Sequence, residues 1–267
     1  MKILYFTATG NSLHIAKSIA QSLKGELLSI PQMIKEGRFE FTDEKIGLLF
    51  PLYGYGVPSY IVDFIKRAKF NTNYLFGIST FGVYSGAVAT HLMDVAKEAG
   101  HHFSYVNTIK MVDNYLPGFN MAKEGANEGK KGTEERLETI KSDIANSKEW
   151  IIPENFLRKL SFNIMHSIKK PVSKKQLKLH IYGEGIENYV YTDNNCTGCG
   201  LCANVCPVNN IVVDKENKTI SLKGDCFGCF SCLHNCPQNN IHIKGEVSSD
   251  RYRNSNITLA EIVKSNS

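Results

Sequence analysis

Two lines of this sequence are near copies: CTGCGLCANVCP, starting at Cys196, and CFGCFSCLHNCP, starting at Cys226. Together they hold all 8 cysteines of the 267-residue chain. Each reads C-x-x-C-x-x-C-x-x-x-C-P, which limits what the segment can fold around. Three thiolates at this spacing wrap one face of an inorganic cube, and the fourth lies too far along to join them. Gly198, Gly200 and Gly228 let the backbone bend so that amide N–H groups can face sulfur. Zinc is the first competing reading, but it uses C-x-x-C pairs and leaves the third cysteine and the trailing Cys-Pro without a role. Disulfides are the second, and they suit secreted chains. The N-terminus, MKILYF, has one Lys and a very short apolar run, unlike a signal peptide. The expected location is therefore cytoplasmic.

The repeat resembles the bacterial two-cluster ferredoxins over about residues 186–247. That resemblance implies an α+β, bacterial-type 2[4Fe-4S] domain in which the fourth cysteine of each line ligates the other cluster. One [4Fe-4S] cluster would take Cys196, Cys199, Cys202 and Cys236, and the second Cys226, Cys229, Cys232 and Cys206. Pro207 and Pro237 would turn the chain after each crossing ligand. The short β-prone pieces NIVVD, TISLK and NIHIK fit the same pattern. Clusters replace much of the apolar core in such a module, so metal binding and folding are coupled.

The region before Cys196 holds no cysteine. KILYF (2–6), ELLSI (26–30), KIGLLF (45–50), YLFGIST (74–80) and FSYVNTI (103–109) read as strands. Helices are expected over 11–23, 58–69 and 85–99. This alternation predicts a parallel sheet with helices on both faces. The first strand-to-helix loop, FTATGNS (6–12), supplies short hydroxyl and amide side chains ahead of a helix N-terminus, which favours an anion. It carries no Lys or Arg, and it is neither a P-loop nor a G-x-G-x-x-G fingerprint. GYGVPS (54–59) misses that fingerprint and has Pro inside.

T-x-T-G-N-[ST] directly after the first strand resembles the phosphate loop of flavodoxins. The resemblance implies a flavodoxin-like, doubly wound, parallel five-stranded sheet over 1–150, with strand order 2-1-3-4-5 and FMN at the carboxyl ends of the strands. Thr7, Ala8, Thr9, Gly10, Asn11 and Ser12 would bind the FMN phosphate. The loops PLYGYGVP (51–58) and TFGVYSG (80–86) would border the flavin ring. From them come Pro51, Leu52, Tyr53, Gly54, Tyr55, Gly56, Thr80, Phe81, Gly82, Tyr84 and Gly86. Tyr53, Tyr55 and Tyr84 are candidates for ring stacking, and the plainer alternative is packing. Neither loop has an acidic residue, which is expected to raise the flavin's potential.

Residues 111–132 form a long Gly-rich loop without periodicity, expected to be functional or mobile. Asn114 and Tyr115 are expected to cover the flavin or face a partner, with 120–132 mobile. Residues 133–150 read as a helix with Glu134 and Glu135 in its first turn; Arg136 at N3 spoils a capping box. Within 151–185, Leu157, Leu160, Ile164 and Ile168 share a helical face flanked by basic residues. Packing between domains is the expected use of that face, with a membrane surface as the alternative. Residues 150–185 carry seven basic residues and two acidic ones, an excess equal to the whole formal charge of +5. A nucleic-acid binder would show a broader basic face, so no nucleic acid is expected. No apolar run approaches the ~20 residues of a membrane span. The tail, 248–267, contains Thr258 and Glu261 at capping-box spacing. The eight histidines show no metal-like spacing.

Taken together, the halves resemble the anaerobic-type flavodoxin–ferredoxin fusion proteins. The implied function is electron transfer among FMN, two clusters and redox partner proteins. Reduction of a small substrate at the flavin is the alternative, and redox or oxygen sensing a third reading. A homodimer stays open.

Overall fold

The computed structural model describes residues 1–167 and 185–266. Six parallel strands form the central sheet in the order β2-β1-β4-β6-β7-β8. They are β1 (Lys2–Tyr5), β2 (Glu26–Ser29), β4 (Lys45–Pro51), β6 (Tyr74–Phe81), β7 (Tyr105–Lys110) and β8 (Trp150–Ile151). The short strands β3 (Glu40–Thr42) and β5 (Lys69–Asn71) pair with each other beside it. The five strands expected from the sequence follow the flavodoxin order 2-1-3-4-5. The sixth, β8, adds only the pairs Tyr105↔Trp150 and Val106↔Ile151. Two residues are too few for an alternation signal.

The sheet is buried on both faces, so its strands read as apolar runs rather than as alternating patterns. Leu4, Phe6, Leu48 and Phe50 face a core closed by α3 (Ser59–Arg67) and α4 (Val88–Glu98). Ile3, Tyr5, Leu49 and Ile78 face the opposite core, closed by α1 (Asn11–Leu23) and α6 (Thr133–Ala145). The remaining labelled helices are α2 (Ile30–Lys35), α5 (Met121–Ala126) and α7 (Phe156–His166). Each fully buried Ile or Leu contributes about 1.5–3 kcal/mol.

Residues 120–132 are folded, which corrects the expectation of a mobile stretch. Asn120 caps α5, its side chain accepting from Lys123 N at 3.0 Å. Glu124 Oε2 accepts from Asp113 N at 3.2 Å and pairs with Lys131 at 2.8 Å. The signal was an Asn N-cap on a helix too short to show periodicity.

Among the described residues, the apolar face of α7 does not pack between domains. Phe156, Leu157 and Ile164 are 74%, 70% and 51% exposed. The helix instead docks through Phe162 on His91, with ring centroids 4.6 Å apart, and through Ser161 Oγ on Tyr84 Oη at 3.0 Å. Ile168 and the Lys pairs beyond it lie outside the described residues.

The ferredoxin-like segment contains two antiparallel pairs. Ile211–Asp214 (β10) pairs with Thr219–Leu222 (β11), and Val190–Thr192 (β9) with Ile241–Ile243 (β12). The tail then returns to the first sheet. Its helix, Leu259–Asn266, starts with a reciprocal capping box: Thr258 N donates to Glu261 Oε2 at 2.8 Å, and Glu261 N to Thr258 Oγ1 at 3.3 Å. Ile257 and Ile262 are buried against α1.

Candidate functional site

The carboxyl ends of β1, β4, β6 and β7 open onto a cleft of about 230 Å³, spanning the point where the strand order reverses. Thr7, Ala8, Thr9, Asn11, Ser12, Pro51, Leu52, Tyr53, Gly54, Tyr55, Thr80, Phe81, Gly82, Tyr84, Asn114 and Tyr115 line it. Val83, Val112, Asp113 and Phe119 also line it, and sequence reasoning missed them. Gly10, Gly56 and Gly86 stand behind the wall. Gly10 has φ +101°, and a Cβ there would sit 2.9 Å from Ile257 Cβ. Its close neighbour is thus the returning tail. Gly56 closes a turn with Tyr53, and a Cβ at Gly86 would lie 2.2 Å from the Tyr55 carbonyl oxygen.

The loop 7–12 is held from the side away from the cleft. Asn266 Nδ2 donates to Thr7 O at 3.1 Å, and Asn254 N to Thr9 O at 2.8 Å. Ala8 O accepts from Ser231 Oγ at 3.0 Å and Asn235 Nδ2 at 3.1 Å. With these three carbonyls engaged, the loop is pinned in one conformation. The first-turn amides of α1 have no intrahelical partners, as in any helix, and no N-cap side chain bonds to them. Thr7 Oγ1 accepts from Gly10 N at 3.0 Å, and Thr9 Oγ1 from Asn114 Nδ2 at 2.6 Å. Each hydroxyl keeps its own O–H to donate. Ser12 Oγ pairs with Thr80 Oγ1 at 2.9 Å. An uncapped helix N-terminus with buried hydroxyls suits a phosphate without any nearby cation.

Aromatic rings border the rest of the cleft. Tyr55 and Tyr84 meet edge-to-face at 5.6 Å. Tyr53 packs on Phe6 and Phe227, at 6.5 and 6.3 Å. The loops 51–58 and 80–86 supply no acid, but Asp113 enters from the next loop. Its carboxylate accepts from Val83 N and Tyr115 N, both at 3.2 Å. A Cβ at Gly82 would lie 2.1 Å from Asp113 Oδ2, so Gly82 makes room for it. Burial pushes the Asp113 carboxyl up to about 6, against the pull of the two amides; Glu124 adds to the rise and Lys131 opposes it.

The eight cysteines gather around two further cavities. One is lined by Cys196, Cys199, Cys202 and Cys236, the other by Cys206, Cys226, Cys229 and Cys232. Among the described residues, no three His, Cys, Asp or Glu are placed to hold a metal ion directly. Burial pushes the Cys202 and Cys226 thiols up to about 11, so ionising them requires a positive charge in each cavity.

Backbone amides aim at sulfur in matching places. Asn210 N donates to Cys206 Sγ at 3.2 Å and Asn240 N to Cys236 Sγ at 3.4 Å. Asn210 Oδ1 accepts from Lys223 N and Asp225 N, both at 3.0 Å, just before Cys226. Asn240 Oδ1 accepts from Asn195 N at 3.0 Å, just before Cys196. Asn209 and Asn239 both take positive φ, 52° and 50°. The repeated C-P-x-N-N-I was the available signal, and sequence reasoning passed over it.

The two cavities differ in setting. Cys199 is exposed. Cys229 packs against one core of the sheet domain, and Cys232 against the other. Phe227 stacks on Tyr60 with centroids 5.0 Å apart, and Phe230 on Tyr115 at 5.7 Å. The aromatic wall of the second quartet therefore packs against the wall of the cleft, Phe227 on Tyr53 and Phe230 on Tyr115.

Residues 195–241 match the family of 4Fe-4S dicluster domains. No curated protein matches the chain. Among solved structures, a Bacteroides uniformis protein provisionally described as a flavoprotein is 15% identical, covering 40% of this chain and 88% of its own, with a TM-score of 0.31. The Trp repressor binding protein of Bacillus subtilis is 12% identical, covering 58% of this chain and 99% of its own, with a TM-score of 0.33. The fold of the first domain follows from its strand order. The chain is a flavodoxin-like domain joined to an iron–sulfur domain of the 4Fe-4S dicluster type.

Proposed function

We propose that this protein transfers electrons between FMN in the cleft, two [4Fe-4S] clusters and redox partner proteins. FMN supplies exchange between two-electron and one-electron transfer, and each cluster carries one electron. The pinned loop 7–12 would hold the FMN phosphate through the first-turn amides of α1 and the hydroxyls of Thr7, Thr9 and Ser12. Tyr55, Tyr84, Asn114 and Tyr115 would border the ring. Cys196, Cys199, Cys202 and Cys236 would hold the outer cluster, and Cys206, Cys226, Cys229 and Cys232 the inner one. Asn210 N and Asn240 N would donate to the sulfur of the crossing ligands, and such donors favour the more negative state of a cluster.

One observation carries the reading: the inner quartet is built into the wall of the cleft. Ser231, between two of its ligands, and Asn235, three residues after the last of them, hold Ala8 of the loop, and Phe230 stacks on Tyr115. This supports an order of cleft, inner quartet, outer quartet and exposed exit at Cys199. Residues between the centres set distance and exclude water, which is the protein's contribution to transfer.

Anaerobic purification followed by iron and flavin assays tests the proposal. About eight irons and one FMN per chain are expected for two cubic clusters and one flavin. Zinc in place of iron, or no flavin, overturns it. A second reading, reduction of a small substrate, is favoured by the Asp113 carboxyl at the cleft, a group able to hold a proton near neutral pH.

A further inference from the structure

A second cavity, of about 320 Å³, lies next to the cleft. The loop 80–86 contributes to both, and Phe81 is the one residue they share. Among the described residues, four cations line this second cavity, Lys110, Lys131, Arg136 and Arg158, and no carboxylate does. Glu124 pairs with Lys131 at 2.8 Å, which leaves three charges without an acidic partner in the wall. Glu134 and Glu135 sit on exposed positions of the first turn of α6, and Glu134 faces His14 at 3.4 Å.

The guanidinium groups are positioned rather than consumed. Arg136 Nη2 donates to Asn107 Oδ1 at 2.6 Å, and Arg158 Nη1 to Ser85 Oγ at 2.9 Å. Each bond uses one of five donors and fixes the plane of the fork. Two hydroxyl residues of the wall are built in, Ser85 at 3% and Thr108 at 6% exposure. Gly132 also lines the cavity and is the N-cap residue of α6, which no side chain caps. Ile152 and Phe81 supply apolar wall.

We propose that this cavity binds a small molecule bearing a phosphate group. Gathering three uncompensated cations is unfavourable unless an anion fills the space between them. A phosphate offers several acceptor oxygens and up to two charges, matching two guanidinium forks, Lys110 and the hydroxyls. A carboxylate offers two oxygens and one charge. The volume lies within the roughly 300–1,000 Å³ of small-ligand pockets. The apolar wall would hold the rest of the molecule against Phe81, so occupancy would also steady one side of the cleft. The proposal is independent of the flavin reading, since the two cavities are separate.

Isothermal titration calorimetry of the full chain, purified anaerobically and titrated with sodium pyrophosphate at fixed ionic strength, tests it. One saturable site per chain is expected, with citrate at least tenfold weaker. Arg136→Gln and Arg158→Gln should each weaken binding by about tenfold, the effect of one charge-assisted hydrogen bond. Lys110→Gln, at an exposed position, should weaken it without endangering the fold, and Lys97→Gln on α4 should change nothing. Heat that never saturates, binding unaltered in the double arginine variant and in Lys110→Gln, or citrate binding as tightly as pyrophosphate would each overturn the proposal. So would binding abolished by Ser12→Ala instead, because the anion would then sit in the cleft.

Discussion

Replacing Asp113 with Asn should flatten the loss of stability that this protein undergoes as pH rises from about 5 to about 7. The carboxyl is buried at the edge of the cleft, and its folded value stands near 6 against 3.8 in the open chain. A carboxyl raised on folding favours the folded state while it holds its proton. Its contribution is complete below about pH 4 and is lost as pH climbs through the folded value near 6. Over the interval from about pH 5 to pH 7, linkage gives a loss of roughly 1 kcal/mol from this group. For a chain of this size that is roughly 2–4 °C in unfolding midpoint. Asn keeps one acceptor, so one of the amides Val83 N and Tyr115 N loses its partner. That lowers stability by a similar amount at every pH. The signature is therefore the slope: the gap between wild type and Asp113→Asn should change by a few degrees between pH 5 and pH 7, with wild type falling relative to the variant. Differential scanning calorimetry on anaerobically purified protein reads it. A constant gap across that interval would show that Asp113 ionises as it does in water, and the account of its burial would fail.

Two further outcomes follow from the packing. Gly10→Ala should destabilise by roughly 2–4 kcal/mol, combining left-handed backbone strain with the contact on Ile257. Ile257→Gly, which removes the Cβ that the new methyl would meet, should relieve part of that, so a double-mutant cycle in denaturant should show favourable coupling of at least about 1 kcal/mol; strict additivity would refute the tail as the reason for Gly10. Progressive iron chelation should empty the outer quartet first, because Cys199 is exposed while Cys229 and Cys232 pack on the sheet cores. Loss of the inner iron should then release the flavin, since Ser231 and Asn235 anchor Ala8. Flavin fluorescence appearing before any iron is lost would contradict that order.

Local patterns made the architecture legible. Thiols spaced three residues apart, an apolar strand before T-A-T-G-N-S, and alternating strands and helices each act over a few residues, and such short-range constraints are written in neighbouring letters. The same held for the Thr258–Glu261 box, which needs only one helical turn. Short elements were lost for the opposite reason: β8 and α5 are too brief to build a period. The α7 helix shows the limit of periodicity itself. A repeat of apolar residues identifies a face but not its partner, and here contacts of Ser161 and Phe162 chose the packed side.

What the sequence determined by itself was the kind of centres this chain can hold. Only the tertiary structure decided how they adjoin. Thr7, Ala8 and Thr9 are held by Asn266, Ser231, Asn235 and Asn254, residues more than two hundred positions away. Asp113 reaches the cleft because Gly82 leaves space for it. The two cysteine lines are nearly identical as text, yet one quartet lies on the sheet cores and the other keeps an exposed cysteine. Contacts across such separations depend on how whole elements pack, and packing is fixed by the shapes of both surfaces together.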